Sequence, residues 1–209
     1  MSTPPGVSWI RRDFTAAGLT QYPTGRHLSA IQDQLGGSVV LCIDVSGSMS
    51  GSPLKQAVAG ARRFVGEALD QHYSVGIILW DTGVAAQIAL QRDAKALGRF
   101  LSQAAIAGGT DVFAALVTAE NLLSGRPGDL VVAVFGDGDL GNRHRAITQA
   151  DAMRRKNIRI VTCGLGAASA RSLDEISTER EAAPRTAAPD SIADAVAGLA
   201  TGLRRGGAG

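Results

Sequence analysis

A chain of 209 residues, 45% of them hydrophobic, suits one α/β domain with a short extension and is long enough to bury a sizeable core. Its 21 basic and 19 acidic side chains leave a net charge of +2, which argues against an electrostatically driven nucleic-acid binder, a class expected to show a dense basic stripe. Arg62-Arg63, Arg154-Arg155 and Arg204-Arg205 read as solvated helix faces. No stretch approaches the ~18–20 apolar residues that cross a bilayer, so no membrane partner is expected. Arg11-Arg12-Asp13-Phe14 is faintly similar to a twin-arginine export signal. Thr15 to Gly25, however, is polar and carries Pro23 where an apolar stretch belongs. A cytoplasmic location is the expectation.

Residues 1–36 hold three prolines and four glycines and read as an extension or docking arm, with one short helix expected around His27 to Leu35. The pattern changes at Ser38, and residues 37–205 read as the domain. Val39-Val40-Leu41-Cys42-Ile43 is a continuous apolar run, which marks a strand buried on both faces of a parallel sheet. A helix follows, with Ser52 as its expected cap, Pro53 in its first turn and Asp70 near its end. Leu54, Ala57, Val58, Ala61, Phe64, Val65, Ala68 and Leu69 form its apolar stripe.

Val75 to Trp80 and Val84 to Leu90 read as strands joined by Asp81-Thr82-Gly83. That link is too short for a parallel crossover, so the pair is expected to be antiparallel and to lie at the sheet edge. Asp93 caps a helix to about Leu101. Gly108-Gly109-Thr110-Asp111 precedes another, with Val112, Ala115, Leu116, Ala119, Leu122 and Leu123 as its stripe. Leu130 to Phe135 is a buried strand, Arg143 to Lys156 a helix and Ile158 to Cys163 a strand. Arg185 to Ala187 reads as a weak edge strand between Pro184 and Pro189, and Asp190 as the cap of a last helix bearing Ile192, Val196, Leu199 and Leu203. Strands alternating with helices predict an α/β fold: a doubly wound, mostly parallel sheet with one antiparallel edge strand and helices on both faces.

Cys42 and Cys163 each sit in an apolar run and read as small buried hydrophobes; a disulfide requires the two strands to be close. There is no Cys-x-x-Cys, and His27, His72 and His144 are too scattered for a zinc site.

Ligands of open α/β sheets bind outside the carboxyl ends of the strands, so the residues following each apolar run carry the information. Asp44-Val45-Ser46-Gly47-Ser48 follows the first strand, Gly109-Thr110-Asp111 precedes a helix, and Gly136-Asp137-Gly138-Asp139 follows the Leu130 strand. Three loops thus bring short oxygen donors to one edge. Hydroxyls and carboxylates without nitrogen or sulfur favour a hard cation, Mg²⁺ first, with Mn²⁺ or Ca²⁺ as competitors. Two carboxylates offset the charge of one divalent ion, and an open coordination position would accept a carboxylate from a partner protein. Asp111 reads as a capping or first-turn carboxylate.

Asp44-x-Ser46-x-Ser48, then Thr110, then Asp137, resembles the metal-ion-dependent adhesion site of von Willebrand factor type A domains, over roughly residues 38–203. The resemblance implies that Ser46, Ser48 and Thr110 coordinate directly and that Asp44 and Asp137 bind directly or through water. It implies partner contacts at the interleaved Gly47, Met49, Gly109 and Asp139. It also implies a Rossmann-like sheet and a non-catalytic binding module, with short intracellular bacterial proteins of tellurite-resistance and stress operons as the similar subgroup. The third motif is often Thr-Asp-Gly in that family; here it is Gly136-Asp137-Gly138, so a secondary hydroxyl is missing while the carboxylate stays.

Three rival motifs fail on chemistry. Gly136-x-Gly138-x-x-Gly141 has the spacing of a dinucleotide loop. Yet it puts Asp137 and Asp139 where a pyrophosphate should lie, and Ile158 to Cys163 lacks the expected acid. An EF-hand starting at Asp137 would need an oxygen ligand where Gly141 stands and a closing glutamate where Thr148 stands. A phosphoryl-accepting Asp44 would be followed by a second carboxylate at position 46, and Ser46 is a poor proton shuttle. Two functional alternatives stay beside the binding module: an adaptor subunit of an ATPase or kinase system, and a Mg²⁺-dependent phosphohydrolase using Asp44 and Asp137.

Overall fold

The computed structural model describes residues 36–179 and 183–206. The expected arm at 1–36, with its short helix at His27 to Leu35, lies outside the described residues except for Gly36. In chain order the elements are β1 (Ser38–Asp44), a 3₁₀ turn (Gly47–Met49), α1 (Ser52–Asp70), β2 (Ser74–Trp80), β3 (Val84–Gln91), α2 (Ala94–Leu101) and α3 (Phe113–Leu123). They continue with β4 (Leu130–Gly136), α4 (Arg143–Arg155), β5 (Ile158–Leu165), α5 (Gly166–Asp174), β6 (Arg185–Ala187), α6 (Ile192–Gly198) and a closing 3₁₀ segment (Leu199–Gly206).

The six strands form one sheet in the order β3-β2-β1-β4-β5-β6. All pairings are parallel except β2 with β3, the antiparallel edge that the three-residue link requires. β1 is central and buried along its whole length. Alternation along it divides the core in two. Val39, Leu41 and Ile43 pack with Phe64 of α1, Leu97 of α2 and Val196 of α6, whereas Val40 and Cys42 pack with Leu116 of α3, Met153 of α4 and Leu173 of α5. Helices therefore cover both faces, which is why strands β1 and β4 read as unbroken apolar runs.

Several local expectations need correction. Ser52 does not cap α1; it is already helical, Gly51 is the cap at φ 83°, and the Ser52 hydroxyl accepts from Gln56 instead. Asp190 does not cap α6 either, because the cap position falls on Ser191. Asp93 does cap α2, its carboxylate accepting from the N–H groups of Lys95 (2.8 Å) and Ala96 (3.0 Å). Helix α5 has no counterpart in the sequence reading: of its nine residues only Ala170 and Leu173 are buried, too few for a periodic stripe.

Cys42 and Cys163 are both free and lie in the two different cores, on opposite sides of the sheet, so no disulfide can join them. Burial raises both thiols, that of Cys163 to about 11, so neither is a ready nucleophile near neutrality. Among the described residues, no helix is long and apolar enough to cross a membrane.

Candidate metal centre

The chain winds outward from β1 in one direction through β2 and β3, and in the other through β4, β5 and β6. β1 and β4 are therefore the strands between which the winding reverses, and a crevice opens at their carboxyl ends. Asp44 ends β1, and Asp137 follows directly on β4.

Backbone hydrogen bonds tie the loops of this edge together. Ala107 N–H donates to Val45 O at 2.8 Å, Gly47 N–H to Gly108 O at 3.3 Å, and Asp111 N–H to Asp81 O at 2.6 Å. The Asp81 carboxylate adds to this, accepting from Gly83 N–H (2.9 Å) and Gly108 N–H (3.0 Å). Gly141 completes the packing with φ 64°, a left-handed conformation suited to glycine. An added Cβ there would stand 2.6 Å from the Thr110 carbonyl oxygen.

Within this frame, four of the five expected ligand residues are joined by hydrogen bonds. Asp44 Oδ1 accepts from Ser46 N–H at 2.8 Å, and its Oδ2 accepts a long bond from Asp137 N–H at 3.4 Å. The Ser46 and Ser48 hydroxyls are 3.0 Å apart, and Ser48 donates to the Asp137 carboxylate. Thr110 is half-buried on the neighbouring loop and held there by its backbone surroundings; among the described hydrogen bonds its hydroxyl has none. Asp111 accepts from Phe113 N–H at 3.0 Å, the first-turn role expected of it.

Of the positions expected to face a partner, Gly47, Gly109 and Asp139 are exposed. Met49 is not. Its side chain is wholly buried in the core on the α1 side, because the 3₁₀ turn rotates it inward, and it offers no surface to a partner. Asp139 serves the loop as well, accepting from Gly141 N–H at 2.8 Å.

Asp44 and Ser46 are 0% and 2% exposed. Burial pushes the Asp44 carboxyl up to about 6; the Ser46 hydrogen bonds pull it back, and the nearby Asp137 charge raises it further. Among the described residues, neither Asp44 nor Asp137 takes part in an ion pair. A buried carboxylate beside a second one, with no basic side chain paired to either among the described residues, carries an uncompensated electrostatic cost. Two carboxylates and nearby hydroxyls, with no nitrogen or sulfur donor, fit a hard divalent ion. Gly136 matters here: an added Cβ would sit 3.1 Å from both Asp44 Cβ and the ring of Trp80, so a bare backbone lets β4 close on Asp44. Trp80, opposite Asp44 in the β1–β2 register, floors the site, its indole N–H buried without an acceptor.

Two residues important to this edge, Asp81 and Gly136, carry no site role in the sequence reading. Asp81 follows the apolar run of β2 just as Asp44 follows that of β1, a placement that could have flagged it. Gly136 could be valued only once the proximity of Asp44 was visible.

A family model described as von Willebrand factor type A domain matches residues 39–140, which span β1 to the loop after β4 and include every one of the five donor residues. The chain carries a von Willebrand factor type A domain. Solved structures share its fold. The von Willebrand domain of the type V pili tip protein Mfa5 from Porphyromonas gingivalis superposes with a TM-score of 0.73 at 16% identity, over 84% of this chain and 97% of that one. BatB from Bacteroides thetaiotaomicron, a conserved hypothetical protein, gives 0.65 at 18% identity over 79% and 100%. Proximal thread matrix protein 1 from the mussel byssus, in a structure described as having a zinc-occupied MIDAS motif, gives 0.65 at 16% identity over 83% and 50%. No curated protein matches the chain in sequence.

Proposed function

We propose that this domain is a divalent-cation-dependent protein-binding module, with Asp44, Ser46, Ser48, Thr110 and Asp137 holding one ion at the carboxyl edge of the sheet. The observation that carries the reading is the Asp44 carboxylate, wholly buried beside Asp137 with no cation paired to either among the described residues. Bound there, an ion supplies positive charge to offset the two carboxylates and an open coordination position for an acidic group of a protein partner. The metal site of the mussel protein supports the reading by likeness of fold. That site holds zinc, whereas the all-oxygen donors here favour Mg²⁺, with Mn²⁺ or Ca²⁺ as competitors.

The chain's own residues have separable tasks. Ser46 N–H orients Asp44, Ser48 joins the first loop to Asp137, and the Asp81 carboxylate anchors Gly108, two residues before Thr110. The exposed Gly47, Gly109 and Asp139 form the rim on which a partner would rest. We read the site as non-catalytic, because Ser46 occupies the position where a hydrolytic aspartate pair would carry its acid–base group. The deciding experiment is calorimetric titration of the metal-stripped protein with Mg²⁺, Mn²⁺, Ca²⁺ and Zn²⁺. One-to-one binding with Mg²⁺ or Mn²⁺, lost in Asp44→Ala, supports the assignment; equal binding by that variant refutes it.

A further inference from the structure

A second concentration of charge lies away from the metal edge, on the helical face formed by α1 and α2. A shallow groove of about 380 Å³ runs between them, lined by Arg62, Ala94, Lys95, Gly98, Arg99 and Ser102. Three of these residues are cationic and none is acidic, although the chain as a whole carries 19 acidic side chains. Lys95 and Arg99 are one helical turn apart on α2 and share a face with Gly98 and Ser102.

Arg62 joins them from the neighbouring helix and is held in place. Its Nη2 donates to Ser102 Oγ at 2.6 Å, and the missing side chain at Gly98 lets the guanidinium lie against α2, an added Cβ standing 3.2 Å from Nη1. Among the described residues, none of the three cations is in an ion pair. The Asp93 carboxylate caps α2 through the Lys95 and Ala96 N–H groups and sets one negative charge against three positive ones.

Cations gathered around one groove repel each other, and an anion bound among them relieves that cost. The donor set indicates which anion. Two guanidinium groups and an ammonium, brought together from two helices, offer more N–H donors than the two oxygens of a carboxylate can engage; the Ser102 hydroxyl only positions Arg62, since it donates to Gly98 O at 2.9 Å. A phosphate group offers three terminal oxygens and close to two negative charges. The arginines and the lysine are exposed, so each contact is screened and weak, and a doubly charged ligand gains most from them.

We propose that the α1–α2 groove binds a phosphate group, independently of the metal site. The test is calorimetric titration of the full chain in EDTA with inorganic phosphate and pyrophosphate. Alongside it, the chain is co-sedimented with phosphatidylcholine vesicles with and without phosphatidate. Both are repeated with the Arg62→Gln/Arg99→Gln double variant and with Asp44→Ala. A free phosphate compound as ligand gives saturable pyrophosphate binding that weakens about tenfold in the double variant, falls with added salt and survives Asp44→Ala. A lipid-borne phosphate gives phosphatidate-dependent sedimentation with the same variant pattern. Absence of binding in every arm, or binding undiminished in a double variant with an unchanged circular dichroism spectrum, overturns the proposal. Loss through Asp44→Ala would likewise overturn it by placing the ligand at the metal edge.

Discussion

Ser48 donates its hydroxyl to the carboxylate of Asp137, a residue 89 positions further along the chain. The contact joins the loop after β1 to the loop after β4 across the point where the sheet's winding reverses, and it ties two of the proposed metal donors to each other. The consequences of that geometry can be measured.

Asp44→Asn keeps the shape of the buried side chain and removes its charge. Metal-dependent stabilisation should vanish: Mg²⁺ at 100 times its dissociation constant should add about 2.7 kcal/mol to the wild type and nothing to the variant. In EDTA at pH 7.5 the variant should be at least as stable as the wild type, since it lacks the cost of a buried carboxylate facing Asp137. Chemical denaturation with and without Mg²⁺ reads both effects. A variant that unfolds readily in EDTA would show that Asp44 belongs to the scaffold.

Leu41 lies at 0% exposure in the central strand, between β2 and β4. Leu41→Asp puts an unpaired carboxylate there and should cost more than about 4 kcal/mol, leaving an unfolded or insoluble protein. Circular dichroism decides it, and a cooperative melt near the wild-type temperature would contradict the placement of β1.

At the opposite end of the sheet, the Tyr73 phenol oxygen lies 2.6 Å from Asp129 Oδ2 and 2.7 Å from Leu203 O, its single O–H shared between these two acceptors. Burial raises the Tyr73 pKa above its ordinary value, and the hydrogen bond to the Asp129 carboxylate raises it further. A group whose pKa is higher in the folded state contributes stability that is complete below the unfolded value of about 10 and disappears as pH climbs through the folded one. Wild-type stability should therefore hold from pH 8 to about 9.5 and fall beyond 10. Tyr73→Phe should cost about 1–3 kcal/mol at pH 8 and show a shallower alkaline decline. Urea denaturation at pH 8 and 10.5 compares the two, and parallel slopes would remove Tyr73 from the explanation.

Arg159 grips the same carboxylate from β5, Nε to Oδ1 at 3.0 Å and Nη2 to Oδ2 at 2.6 Å, and both of its Nη groups donate to Gly202 O at 3.1 Å. It thereby fastens the closing 3₁₀ segment to the sheet. Arg159→Ala should lower stability by about 1–3 kcal/mol and raise amide exchange at 199–203 well before β1 and β4 are affected. Uniform loss of protection across the sheet would mean that the segment has no separate motion to release.

The central strands were legible in the sequence because burial on both faces demands unbroken apolar runs, as in Val39 to Ile43. The edge pair β2–β3 was legible because three residues cannot cross a sheet. The order of donors Asp44, Ser46, Ser48, Thr110 and Asp137 was also readable, since each follows a strand or precedes a helix on the same edge. Helix α5 was not: Gly166-Ala-Ala-Ser-Ala-Arg-Ser-Leu-Asp buries just two side chains, and it is held by close approach to β5, where an added Cβ at Gly164 would stand 2.2 Å from Ala170 N. Met49 was misplaced for a related reason. Its neighbours Gly47 and Ser48 face outward, and only the turn of the short 3₁₀ segment sends the methionine into the core.

The reversal of winding at β1 and β4 means that the donor residues belong to two halves of the chain laid down in opposite directions from the same seam. Neither half can assemble the cluster by itself, and a nick or a misfolded strand in either would abolish it. The proposed cation uptake at this seam would therefore report that both halves have docked on β1 and β4.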